Sequence, residues 1–317
     1  MPANEILLFI AFNIFILLML ILDLGVFHRK AHTVTIKEAA IWSVVWIVLA
    51  FVFNAGVFIV AGNTTGLEFL AGYLIERALS FDNIFVFIII LSYFGVPAHL
   101  QHRVLFWGII GALVTRSLFI AAGAALISRF EWVMYIFGAI LIYSGIKMML
   151  EKGTEVHPER NVFIRLTQKL LPLTSSYESG TFTVRKAGKL FFTPLIVVLL
   201  AVETSDVIFA VDSIPAVFGV TRDPFIAYSS NVFAILGLRA TYFLLAGVME
   251  TFHYLSHGLS LVLLFIGVKM LLGEFVHIPI GVSLLVVTSI LIIAVVASLV
   301  RNRRLARKQK QTADPKS

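Results

Sequence analysis

Several acidic side chains stand where the chain is otherwise apolar. Glu76 and Asp82 lie in LIERALSFDNIFV, and Glu203, Asp206 and Asp212 lie in VETSDVIFAVDSIPA. Oxygen donors are interleaved with them, namely Ser80, Asn83, Thr204, Ser205 and Ser213, with Asn54 and Asn231 available in other apolar runs. A charged group at the centre of a bilayer costs about 2.5 to 3.5 kcal/mol on the insertion scale, so it persists where it is paired, wet or functional. Hard oxygen donors in number suit magnesium, calcium or manganese, whereas zinc and copper prefer imidazole or sulfur. The chain has no Cys, and its 8 His fall in loops or at the ends of the apolar runs. The chemistry expected of these residues is therefore reversible binding of a hard divalent cation by oxygen.

Helical spacing decides which of these groups can converge. Glu203 and Asp206 at i,i+3 share a face, as do Glu76, Ser80 and Asn83 at i,i+4 and i,i+7. Asp212 falls on another side of an ideal helix, but Pro215 removes the hydrogen bond to the Val211 carbonyl, so a kink or an unwound turn is expected there. Asp82 stands about 120° from Glu76 on a straight helix, and spacing alone does not bring both to one ligand. Bases are buried in the same runs. Arg77, Arg116, Lys147, Arg239 and Lys269 offer these acids a purely structural role as counter-ions. Asp23, near the inner end of the first run, can equally pair with the basic loop that follows it.

The elements that position these groups are membrane spans. Of the 317 residues 59% are hydrophobic and 14% charged, against about 25% charged in soluble domains. Apolar runs near the length of about 20 residues needed to cross a bilayer fall at 6–27, 39–61, 67–94, 104–127, 132–150, 192–218, 225–249, 258–272 and 278–300. The expected fold is an all-α polytopic membrane protein of about nine transmembrane helices, forming a single transmembrane domain. With the amino terminus outside, the cytoplasmic segments carry 18 of the 25 Lys and Arg, as the positive-inside rule requires. A cytoplasmic loop at 151–191 and a basic cytoplasmic tail at 301–317 follow, and a bacterial inner membrane suits them. The net charge of +7 thus belongs to topology, and no nucleic-acid partner is expected.

An internal repeat runs through the middle of the chain. Ser80, Asp82, Ile84 and Phe85 match Thr204, Asp206, Ile208 and Phe209 at an offset of 124; Arg116 matches Arg239 at 123; Gly145-Ile146-Lys147-Met148 matches Gly267-Val268-Lys269-Met270 at 122. The units, 67–150 and 192–272, hold three spans each, and an odd count inverts the second copy, placing a site near the midplane at the repeat interface. No phosphate-binding G-x-x-x-x-G-K-[ST] loop occurs and the one sizeable loop is too short for a nucleotide-binding domain, so transport is expected to be secondary. Protons are the expected exchange partner, because one carboxylate can hold either a proton or a metal. No prosthetic group is expected.

The two acidic motifs, ERALSFDN and ETSDVIFAVDSIPA, with SNVFAILGLRATYFLLAG and FIGVKMLL after them, resemble the TerC family of integral membrane proteins, most closely its Alx-like bacterial members. The resemblance runs over nearly the whole hydrophobic chain. It implies an inner-membrane protein of the LysE-like transporter superfamily, linked to export of manganese, with Mn2+ the transported ion. Carried over by motif, Glu76, Asp82 and Asn83 match the first acidic segment and Glu203, Asp206, Asp212 and Ser213 the second. The metal's identity and the outward direction come from the resemblance alone.

The same residues bear on other functions. Two intramembrane aspartates could activate water as in an aspartyl protease, but Asp82 and Asp206 follow Ser80-Phe81 and Thr204-Ser205 and lack the Gly-x-Gly-Asp signature of such enzymes, so no enzyme is expected. Tellurite export is disfavoured because a carboxylate-lined midplane repels oxyanions. An accessory role in inserting or metallating other membrane proteins, with Lys169, Arg185, Lys186 and Lys189 of the central loop as a partner site, is the alternative.

Overall fold

The structure is a computed structural model that describes residues 3–27, 35–150, 172–174, 177, 180–186, 189–245, 254–273, 275–276 and 278–313, without the side chains of 3–5, 22–27, 186 and 305–313. Asp23, Lys186 and most of the tail are therefore outside the described side chains, and the loop from 151 to 171, including Lys169, is outside the description altogether.

The chain folds into α1 (Ala3–Phe27), α2 (Ile36–Tyr93), α3 (Ala98–Arg129) and α4 (Val133–Leu150), a hairpin of β1 (Thr183–Lys186) and β2 (Lys189–Phe192), then α5 (Pro194–Phe218), α6 (Pro224–Leu236), α7 (Leu238–Leu245), α8 (Leu255–Leu271) and α9 (Ile280–Ala313). Among the described residues five helices are long and apolar enough to cross a membrane, within α2, α3, α4, α5 and α9; shorter apolar stretches lie at Ile6–Ile21 and Leu255–Leu271. The bundle inverts the usual distribution of polarity. Large apolar side chains face outward, Val60 at 87% and Leu285 at 67% exposure, while Glu76, Arg116 and Asp206 are enclosed. A surface of that kind is stable only in lipid, and the chain is an integral multi-pass membrane protein.

Two expected spans, 39–61 and 67–94, meet in α2, which doubles back at Gly62 (φ 87°, ψ 177°). Left-handed backbone of this kind is open to glycine and strained for other residues. The fold-back is visible in its contacts, since Phe53 meets Phe69 (ring centroids 5.3 Å), Phe51 meets Tyr73 (6.3 Å), and Gly66 lies against the Phe58 ring. Thr35 caps the start by accepting from the Glu38 amide. Asp223 caps α6 by accepting from the amides of Phe225 (2.8 Å) and Ile226 (3.3 Å), with Pro224 in the first turn where its missing N–H is harmless.

Two expectations are corrected. The helix does not unwind at Pro215: α5 continues to Phe218, and because the bond lost to Val211 falls in the last turn, the helix ends before a kink can develop. The interruption lies instead at Gly237, which divides the expected span 225–249 into α6 and α7 and leaves room for the Arg77 guanidinium, 2.5 Å from where a Cβ would stand. The described part of the central loop is folded. It forms the β1–β2 hairpin, registered Thr183 to Phe192 and Lys186 to Lys189. The Tyr177 hydroxyl donates to the Phe94 carbonyl (2.5 Å), Arg103 donates to the Gly180 carbonyl, and Trp107 packs on Phe182.

Packing directions follow from paired contacts. Helices α3 and α5 run alongside in the same sense, with Gly108 against Val202, Gly111 against Glu203 and Gly123 against Phe218. Helices α4 and α8 cross in opposite senses through glycine. A Cβ on Gly138 would stand 3.0 Å from the Gly267 carbonyl, and one on Gly145 would stand 2.9 Å from the Ser260 carbonyl. Small residues let two membrane helices approach backbone to backbone. An aromatic cluster of Phe12, Phe53, Phe69, Phe225, Tyr228 and Phe233 joins α1, α2 and α6.

Candidate functional site

Two helices each present a pair of polar residues seven apart, so each pair shares a face. Helix α2 supplies Glu76 and Asn83; helix α5 supplies Asp206 and Ser213. Between them α3 inserts Arg116, which is 1% exposed. Its Nε donates to Asp206 Oδ2 at 3.3 Å and its Nη2 to Asp206 Oδ1 at 2.9 Å, a bidentate fork. Its Nη1 donates to Glu76 Oε1 and to Ser213 Oγ, the latter at 2.9 Å. With the Asn83 amide turned so that its oxygen faces the guanidinium, that oxygen lies 3.2 Å from Nη2 and its nitrogen 3.3 Å from the Leu79 carbonyl. All five N–H donors of the arginine are then used.

The cluster is satisfied at its centre and open at one edge. Glu76 is fully enclosed, yet its Oε2 has no hydrogen-bond partner among the described residues. Two carboxylates face one guanidinium, so the formal charge of the group is −1. Buried charge of that kind needs a further partner. Buried apolar residues flank its members along their own helices, Ala112 and Ile120 one turn either side of Arg116 on α3, and Ile214 and Val217 after Ser213 on α5.

The remaining sequence candidates stand around this centre and not in it. Glu203, three residues before Asp206, presses its carboxylate onto Gly111 of α3, where a Cβ would lie 2.0 Å from Oε1. Among the described residues nothing donates a hydrogen bond to it. Asp212 accepts from Ser144 of α4 at 2.5 Å, with Lys147 one turn further along that helix. Asp82 is half-buried and shares the face of α2 that carries Ile75, Ala78 and Leu79, which belong to a buried apolar cluster together with Leu259 and Leu263 of α8. It too accepts no hydrogen bond among the described residues. Asp82 and Asp206 match in the sequence repeat, but the position beside Arg116 opposite Asp206 is taken by Glu76.

Hydroxyls and amides sort in the same way. Ser80 donates to the Glu76 carbonyl (2.7 Å), and Thr204 to the Leu200 carbonyl (2.6 Å), so both turn to their own helix. Asn54 is buried with Oδ1 unpartnered among the described residues, and Asn231 with both amide atoms unpartnered. Arg239 is buried in α7. Arg77 turns away from its neighbour Glu76 and donates to the Ala234 carbonyl (3.2 Å) and to Thr241 Oγ1, at the break between α6 and α7. Among the described residues no three Asp, Glu or His side chains group to hold a metal. The oxygens that converge are those of Glu76, Asp206, Ser213 and Asn83. Sequence reading missed Ser144, which only its i,i−3 spacing from Lys147 could have marked, and the glycines Gly111 and Gly237 that make room for charged side chains.

Comparison with known proteins agrees with this architecture. The family described as "Integral membrane protein TerC family" matches residues 61–310. An uncharacterized membrane protein of Myxococcus xanthus is 50% identical over 296 residues, 93% of this chain and 93% of the relative. The protein called "Putative membrane-bound redox modulator Alx" in Escherichia coli K12 is 49% identical over 302 residues, 92% of this chain and 94% of the relative. No solved structure matches the chain. A match over most of the chain, carried through both acidic segments and the helices that hold the Arg116 cluster, identifies it as a member of the TerC family of integral membrane proteins.

Proposed function

We propose that this protein is a secondary transporter that exports a hard divalent cation, manganese first, from the cytoplasm through the Glu76–Asp206 site. The observation that carries the reading is the enclosed cluster itself: two carboxylates, a hydroxyl and an amide oxygen converge in the bundle with a formal charge of −1 and one carboxylate oxygen left open. Six oxygens from Glu76, Asp206, Ser213 and Asn83 suffice for the octahedral shell of a small divalent ion, and no imidazole joins them. Asp82, Glu203 and Asp212, each on a helix of the site, serve as relay positions along the path. A proton on these carboxylates competes with the metal.

The repeat supports alternating access around this point. Gly138 and Gly145 of α4 correspond at an offset of 122 to Ser260 and Gly267 of α8, and the two contacts observed, Gly138 with Gly267 and Gly145 with Ser260, exchange under that correspondence. An inverted pair of three-span units would make such a contact at its pseudo-two-fold axis. In this reading nine spans lie in a bacterial inner membrane with the amino terminus outside and the carboxyl terminus in the cytoplasm.

The E. coli relative carries a name that speaks of redox modulation. This chain has no cysteine, so a redox effect of its own would run through the metal it moves and not through its thiols. The accessory-factor reading finds one observation in its favour, the β1–β2 hairpin with Arg185 and Lys189 exposed beside the bundle. Manganese uptake into inside-out vesicles or proteoliposomes, measured beside Asp206→Asn, tests the transport reading. Uptake lost in the variant is the expected result; no uptake of manganese, magnesium or calcium by the unmodified protein would refute it and favour the accessory role.

A further inference from the structure

We propose that Arg116 is a tethered counter-cation, which fills the cation site when no metal is bound and lets the unloaded carrier return without a proton. The proposal rests on the transport reading above. Its ground is that the oxygens best placed to hold the metal are the ones Arg116 occupies. Both oxygens of Asp206, one of Glu76, the Ser213 hydroxyl and the turned Asn83 amide all receive guanidinium N–H groups. A metal cannot take Asp206 while this fork is in place, so loading the site and displacing Arg116 are one event.

Charge makes the exchange productive. Glu76 and Asp206 with a divalent ion sum to zero, with Arg116 to −1, and with neither to −2. A bare pair of buried carboxylates is the state hardest to carry through a closed, dry bundle. Carriers commonly avoid it by loading protons; here a cation is already attached to α3 by its own side chain. The displaced guanidinium also has a second counter-ion. Arginine side chains on a helix lean toward its N-terminus, which from Arg116 is the direction of Gly111, and over Gly111 stands the Glu203 carboxylate that receives no hydrogen bond among the described residues. Arg116 can therefore pass from Asp206 to Glu203, residues three apart on the same helix, while the metal holds Asp206 and Glu76.

Two transport modes separate this idea from a structural role for Arg116. Net efflux of manganese into metal-free medium needs the empty carrier to return; exchange of radioactive for unlabelled manganese at equal concentrations needs only the loaded one. Both are measured in proteoliposomes without a proton gradient, for the unmodified protein, Arg116→Gln and Arg116→Lys. The unmodified protein is expected to perform both. Arg116→Gln is expected to lower the ratio of net efflux to exchange at least about tenfold, and to bind manganese about tenfold more tightly, since a site free about one-tenth of the time has its affinity cut by that factor.

Arg116→Lys, with three donors in place of five, is expected to retain net efflux and gain affinity. If Arg116→Gln does not fold, this second variant decides alone, and unchanged affinity overturns the proposal. Equal loss of both modes in folded Arg116→Gln, full net efflux in that variant, or a strict proton requirement in the unmodified protein also overturns it. An unmodified protein that moves no metal in either mode refutes the transport reading itself, a distinguishable result.

Discussion

Glu76→Gln and Asp206→Asn each remove one negative charge from the same cluster and change its shape little, yet their consequences for stability are expected to differ. Asp206 accepts from Arg116 with both oxygens, at 2.9 and 3.3 Å. An asparagine amide can accept one of these bonds and turns an N–H2 toward the other donor, so a charge-assisted hydrogen bond is lost, at about 1.5–3 kcal/mol. Glu76 offers Arg116 one oxygen and leaves the other without a partner. A glutamine amide keeps that bond, places its nitrogen where nothing was bound, and takes the formal charge of the cluster from −1 to 0. Glu76→Gln should therefore stay within about 1 kcal/mol of the unmodified protein, and Asp206→Asn should fall about 1.5–3 kcal/mol below it. Reversible unfolding in mixed detergent micelles, followed by helical circular dichroism, reads the difference, since about 1.4 kcal/mol is tenfold in the folding equilibrium. Equal losses, or a larger loss for Glu76→Gln, would show that Arg116 is not held as described. Both variants should lose manganese transport, so Glu76→Gln is expected to be stable and inactive.

Gly267→Ala forces a Cβ to within 2.8 Å of the Gly138 carbonyl and of Ile142 Cγ1; overpacking between helices should cost about 1–3 kcal/mol in the same unfolding assay. Gly56→Ala, in α2 with nothing within 4 Å, should instead be neutral or gain about 0.5–1 kcal/mol; identical behaviour of the two would contradict the α4–α8 contact. Ser144→Ala removes the hydroxyl that Asp212 accepts at 2.5 Å, in a half-buried position, and should cost about 1 kcal/mol and slow transport; an unchanged rate would remove Asp212 from the path. Glu131→Gln, in the exposed turn between α3 and α4, should leave transport untouched, and a loss there would overturn the placement of the site inside the bundle.

Much of the site could be read from spacing, and its rotation could not. The i,i+7 relation of Glu76 to Asn83 predicted a shared face, and both do turn to Arg116. The length and polarity of 39–61 and 67–94 predicted two helices, which the fold-back at Gly62 provides. Which acids meet depends on how helices are turned against one another, and contacts several residues away set that. Glu203 and Asp206 share an arc in sequence, but Gly111 opens a niche under Glu203 alone. Asp82 matches Asp206 in the repeat, but it shares the face of α2 that carries the buried Ile75, Ala78 and Leu79, and not the face of Glu76 and Asn83. Proline at 215 was a misleading signal because a break needs helix on both sides, and Gly237, unremarkable in sequence, stands where a span is interrupted and where an arginine from another helix fills the place of a Cβ.

The fold-back at Gly62 bears on how the chain enters the membrane. Its tip, Ala61-Gly62-Asn63-Thr64-Thr65, carries no ionised side chain, so passing it across hydrocarbon involves no desolvation of charge. With a single non-helical residue between them, the two arms have no loop long enough to pause in water and must enter as one closed pin. Lys37 near the first end, and Arg103 beyond the second, hold both open ends on the same side. Charge placed at the tip should therefore disturb biogenesis before it disturbs any contact of the finished protein.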